Sequence, residues 1–143
     1  MKKIIFIIFF IFSTALFGRN YTELQEWRQK KLPVDIKKGV RVEVYDFESR
    51  HGVKYEYPAI NIRVHNRGSS AVTDLVITIW FWKNEGVYVK ELVLIGEEGE
   101  YRKKLFSGKE KYIPSERRYY NFKDIKFKEI ERLEIQITRI KTK

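Results

Sequence analysis

The chain has no cysteine and only two histidines in 143 residues. The missing thiols exclude a disulfide scaffold, a zinc–thiolate centre, a cysteine nucleophile and lipid attachment through cysteine. His51 and His65 are the only imidazoles. A metal centre would need more ligands, and Asp46 and Glu48 are the nearest acids in sequence. His65 falls on the polar face of a predicted strand and His51 in a turn, so both are read as solvated. No Ser or Thr sits in a nucleophile-elbow context, and there is no glycine-rich phosphate loop. Glu97, Glu98 and Glu100 cluster, but in a charged loop where acids ordinarily serve solubility. A membrane-spanning run of about 20 apolar residues is missing too. The longest apolar stretch, Ile4–Phe17, is 14 residues. Nothing in the sequence argues for catalysis, a cofactor or a metal.

That apolar stretch has another use. Met1-Lys2-Lys3 is positively charged, and Ile4 to Phe12 is an unbroken run of nine apolar residues. Ser13-Thr14-Ala15 then offers small residues for cleavage, with a second option after Gly18. This is the layout of a secretory signal peptide over residues 1–18. An uncleaved anchor is the alternative. Either way the rest of the chain is expected outside the cytoplasm, periplasmic or secreted, with no stable membrane span once the signal is removed. Asn20-Tyr21-Thr22 matches a glycosylation sequon, which matters only in a host that glycosylates.

What remains is one domain's worth of chain. Hydrophobic residues make up 43%, enough for a globular core rather than a disordered chain. The formal net charge is +10, and it is unevenly placed. Residues 101–143 carry 14 basic and 6 acidic side chains, a surplus of +8. Such a field favours anionic partners: lipid headgroups, anionic polysaccharide or nucleic acid. The alternative is an ordinary solvated Lys/Glu-rich surface.

Residues 22–31 read as a short helix. Thr22 and Gln25 are placed as in a capping box, acids open it and bases close it, and Leu24 and Trp27 share a face. Pro33 ends it, so residues 19–38 are read as helix and linker. From Gly39 the period changes to two. Val40, Val42 and Val44 alternate with Arg41, Glu43 and Tyr45. After a turn at His51-Gly52, Ile60, Ile62 and Val64 alternate with Asn61, Arg63 and His65. Asn66 to Ser70 is a turn cluster. Val72–Lys83 is apolar on both faces: Leu75, Ile77, Ile79 and Phe81 on one, Val76, Thr78, Trp80 and Trp82 on the other. It is expected to be central and covered on both sides, the second by the N-terminal helix. Asn84-Glu85-Gly86 turns the chain into Val87–Ile95. A charged loop over 96–108, with a short strand near Arg102–Phe106, a strand at Arg117–Phe122 and a last strand at Glu131–Ile140 complete the pattern. Six or seven strands without crossover helices predict an all-β, immunoglobulin-like antiparallel sandwich over residues 39–143.

The stretch Ile60 to Ser69, then Val72 to Trp82 and Asn84 to Val87, with Ile113-Pro114-Ser115-Glu116 and Ile130–Ile140, resembles FxLYD-type and related immunoglobulin-like domains of bacterial envelope proteins. The shared layout is a strand ending in Asn-x-Gly, a hydrophobic strand, a glycine turn, a proline-centred turn and a final strand. It spans about residues 40–140. The resemblance implies a sandwich fold and a non-catalytic role. The chain lacks the glycine common before the first of these strands, and the lipid-attachment cysteine.

Two surfaces stand out as candidates for binding. Trp80, Trp82 and Tyr88, if exposed on one sheet face, would make a stacking platform for sugars or for a partner's apolar helix. The ordinary alternative is that they pack inside. Arg117-Arg118-Tyr119-Tyr120, with Lys103, Lys104, Lys109 and Lys111, would make a basic aromatic patch for an anionic polymer. Strand alternation splits the two tyrosines, so one is expected in the core. The functional expectation is an exported, non-catalytic module that meets a protein partner in the cell envelope or serves it in an accessory role. The alternative is a module binding an anionic or sugar polymer: envelope glycan, lipopolysaccharide or nucleic acid.

Overall fold

In the computed structural model, which describes residues 32–143, the period-two segments become strands. Val40, Val42 and Val44 are buried on β2 (Val40–Arg50), and Ile60, Ile62 and Val64 on β3 (Tyr57–Asn66). After Val44 the next buried residue on β2 is Phe47, not residue 46. A register shift between Val44 and Asp46 explains this: Tyr45 is the extra residue of a bulge, which resets the alternation so that Phe47 faces Ile60.

Ahead of β2 lies β1 (Val34–Lys37), in the segment read as linker. It folds back on β2 through Lys38 and Gly39, with φ of 51° and 75°. These are left-handed angles of the kind that a tight hairpin turn needs. The remaining strands are β4 (Val72–Lys83), β5 (Gly86–Ile95), β6 (Glu110–Ile113), β7 (Tyr120–Asn121) and β8 (Ile130–Thr142). A single 3₁₀ turn, Phe127–Glu129, leads into β8. One sheet runs β1-β2-β3-β6, with β7 also on β3, and the other runs β5-β4-β8. Every strand pair is antiparallel.

The all-β sandwich is therefore as expected, with eight strands among the described residues rather than six or seven. The stretch Arg102–Phe106 makes no strand; only Leu105 forms a bridge, with Val72. The strand expected over Arg117–Phe122 narrows to Tyr120–Asn121. The predicted signal segment and the helix over 22–31 lie outside the described residues. Among the described residues no helix is long and apolar enough to cross a membrane.

Leu75, Ile77, Ile79 and Phe81 line the inner face of β4 and are fully buried. Phe47, Ile60, Ile62 and Ile113 of the other sheet are fully buried as well. Phe122 lies 4.9 Å from Phe81, and Phe127 stacks on Phe47 at 5.3 Å. These contacts fill the core where the strands are short, since large rings bury the most area per residue. Asp35 on β1 closes one side of the sandwich. Its carboxylate accepts the Ile137 backbone N–H at 2.7 Å, beside the β4–β8 register shift that spaces this part of β8.

Candidate functional site

The most organised surface feature begins with a buried asparagine. Asn66 ends β3 and is fully buried. Its Nδ2 donates to the carbonyls of Ser70 at 2.8 Å and Leu105 at 2.9 Å. Its Oδ1 accepts the Gly68 N–H at 3.0 Å. The side-chain amide thus serves as donor twice and acceptor once, and knits a local turn to a loop distant in sequence. The backbone adds to this. Gly108 N–H donates to the Asn66 carbonyl at 2.7 Å, and Asn66 N–H to Lys109 at 3.0 Å. The Ser107 hydroxyl donates to the Gly68 carbonyl. On the other side, Arg67 N–H donates to the Gly39 carbonyl at 2.9 Å.

Three turns therefore stack side by side at one end of the sandwich: Lys38–Gly39, Asn66–Ser70 and Leu105–Lys109. The approach is close. A Cβ on Gly39 would sit 3.0 Å from Gly68 Cα, and one on Gly68 would sit 3.0 Å from the Lys38 carbonyl oxygen. Glycine is required at both places because backbone meets backbone.

These turns, with the Lys103–Lys104 segment that leads into the third, present Lys38, Arg67, Lys103, Lys104 and Lys109, all exposed. None of them forms an ion pair among the described residues, whereas Arg41, Arg50, Arg63, Lys83, Lys90, Lys126, Arg132 and Arg139 all do. The guanidinium of Arg67 donates to His65 Nδ1 at 3.2 Å. Phe106 stands among these cations with 62% of its surface exposed. It opens the tight turn closed by the Lys109 N–H on its own carbonyl at 3.1 Å, in which Gly108 takes φ 77°. Glu110 follows Lys109 on β6, opposite His65, and Glu97, Glu98 and Glu100 lie on the separate turn that follows β5.

The expected basic aromatic patch is thus divided. Lys109 belongs to the stacked turns, and Lys103 and Lys104 to the segment that leads into the third of them. Lys111 is on β6 with its ammonium 5.1 Å from the Tyr101 ring. Arg117 and Arg118 are exposed on the turn between β6 and β7, not on a strand. Asn61 holds that turn: its Nδ2 donates to the Ser115 and Arg118 carbonyls, both at 2.7 Å. A groove of about 660 Å³ brings Lys111 near Arg117, but Glu110 and Glu116 line it as well, which offsets the positive field there. Lys38, Arg67 and Phe106, absent from the expected patch, join it through the fold. Only the local basic run and the Asn-x-Gly turn could have signalled them.

The aromatic platform does not form as expected. Trp80 and Trp82 share the outer face of β4, opposite Val89 and Val87 of β5. Tyr88 lies opposite Phe81 and so projects to the other side of the sheet. There the Lys83 ammonium sits 4.3 Å from its ring. Both indoles are half-buried, and Arg132 covers Trp82 at 5.2 Å while pairing with Glu134 at 3.0 Å.

Of the two tyrosines, Tyr120 lies opposite Ile60 and turns toward the core, with a shielded hydroxyl. Burial, and behind it the charge of Glu100, pushes its pKa up. Tyr119 instead donates its hydroxyl to Asp46 at 2.7 Å, with the Arg50 guanidinium 4.6 Å from its ring. Burial first, then the hydrogen bond and charge of Asp46, pushes its pKa up to about 12. Both phenols are held neutral, which suits structure. Among the described residues no three His, Asp or Glu side chains converge as metal ligands. His51 lies 3.6 Å from Glu56, and His65 faces Arg67.

No family model, curated protein or solved structure matches this chain.

Proposed function

We propose that this protein is an exported, non-catalytic binding module of the cell envelope, and that its basic end takes an anionic partner. The observation that supports this most is the pinned set of three turns and the segment leading into the third, which carry Lys38, Arg67, Lys103, Lys104 and Lys109, each without an ion-pair partner among the described residues. Cations left unpaired beside one another repel, and an anion relieves that repulsion. The clamp at Asn66 fixes the backbone beneath them, which lowers the ordering cost of binding. The charged and apolar leader motivates export.

The test is binding of the folded domain to polyphosphate and to single-stranded DNA at two salt concentrations. A charge-driven complex weakens steeply as salt rises, in proportion to the number of contacts made. Reversal of Lys103 and Lys104 to Glu should abolish it, and the same reversal of Arg117 and Arg118 should weaken it little. Unchanged binding in the Lys103/Lys104 variant refutes the assignment.

A protein partner is the second reading, favoured by β5. It is an edge strand, and Val87 and Val89 lie exposed along it. An extended peptide could add there as a further strand. Val89→Lys should then abolish capture of an envelope partner while leaving polyanion binding intact.

A further inference from the structure

The basic end carries one residue that a soluble polyanion does not need. Phe106 is an exposed phenyl ring set among cations, on a turn that its own backbone and Asn66 hold in place. A large apolar side chain at the tip of a pinned basic loop has the chemistry of a bilayer interface: anionic headgroups outside, hydrocarbon just beneath. We infer that the anionic partner is a lipid bilayer surface, with Phe106 entering the interface and Lys38, Arg67, Lys103, Lys104 and Lys109 meeting the headgroups. This rests on the anion-binding reading of the same end.

The opposite end supplies a natural control. Val53, at the tip of the β2–β3 loop, is fully exposed at 105% and has Lys54, Lys123 and Tyr55 around it. The charges there are mixed: Lys126 and Lys83 share Glu129 at 3.9 and 4.0 Å and Lys90 pairs with Asp124, while Lys54 and Lys123 form no ion pair among the described residues. A short aliphatic tip beside Lys54 and Lys123 is thus the weaker draw to an anionic surface than a phenyl ring beside the five cations of the basic end.

The experiment is co-sedimentation of the folded domain with vesicles of phosphatidylglycerol and phosphatidylcholine in a 3:7 mixture, and with vesicles of phosphatidylcholine alone. Polyphosphate binding is measured in parallel. The expected result is binding to the mixed vesicles only. Phe106→Ala should weaken it about tenfold, as loss of a partly inserted phenyl implies, while polyphosphate binding stays unchanged. Phe106→Trp should restore it. Each of Lys103→Glu and Lys104→Glu should weaken both kinds of binding by about fivefold or more. Val53→Ala should alter neither. Phe106 is exposed, so its variants keep the fold. Equal vesicle binding by Phe106→Ala overturns interfacial insertion. Polyphosphate binding without vesicle binding overturns the lipid assignment and keeps the anion-binding reading, whereas failure of both removes that reading as well.

Discussion

Asn66→Ala is the sharpest test of how the basic end is built. The substitution removes an amide that is fully buried and makes three hydrogen bonds, to Ser70, Leu105 and Gly68. The three partners do not suffer equally. The Leu105 carbonyl keeps the Val72 N–H at 2.9 Å, so it is not orphaned. The Ser70 carbonyl and the Gly68 N–H lose the partner that Asn66 supplies. Both residues are half-buried, so water recovers part of the loss. Leaving two such groups under-satisfied costs about 2–3 kcal/mol. In a domain of this size that corresponds to a fall of about 10–15 °C in Tm. Thermal and urea unfolding followed by circular dichroism measure it. Asn66→Asp is the companion variant: it keeps the acceptor for Gly68, loses both donors and places a carboxylate against two carbonyls. It should be at least as destabilised as the alanine variant. A loss below about 0.5 kcal/mol in both, within the range of ordinary surface substitutions, would refute the idea that this side chain clamps the turns.

Other predictions follow from the same contacts. The pKa of Tyr119 is raised in the folded state, so its contribution to stability is fully present below pH 10 and is lost as pH climbs through about 12. Alkaline unfolding should be steep across that window, and Tyr119→Phe should flatten it, read by absorbance of the tyrosinate. Asp35→Ala removes the acceptor for the Ile137 N–H and should cost about 2 kcal/mol in urea unfolding, a charge-assisted bond being worth about that much. Gly39→Ala meets both a φ of 75° and a contact at 3.0 Å, and should lower stability by about 1–2 kcal/mol. Residues 1–31 fused to a reporter active only outside the cytoplasm should give signal, and Ile7→Asp should abolish it.

Alternation of apolar residues made β2, β3 and β4 readable as strands, whereas β8 buries Ile130, Leu133, Ile137 and Ile140 at spacings of three and four, because register shifts against β4 break its period. The placement of Tyr88 depended on something finer. A three-residue turn over Asn84–Gly86 would set Trp82 against Tyr88, on one face. The turn formed has two residues, Lys83 pairs with Gly86, and Trp82 therefore faces Val87. One residue of turn length moves a whole strand's side chains through the sheet. β6 carries little apolar signal of its own and is defined by the backbone groups that β3 offers it. The basic run at 102–109 was plain in the sequence. Its union with Lys38 and Arg67 was not, since the bond from Asn66 to Leu105 spans 39 residues of chain.

The two borders of the three-stranded sheet are treated differently. Along β8, the inward carboxylate of Asp35 occupies the Ile137 N–H. Along β5, among the described residues, only the far end is taken, where Tyr101 bridges Ile95. Of these two borders, β5 is the more open to a further strand. Should two copies ever meet along β5, that border would be used up by the pairing itself.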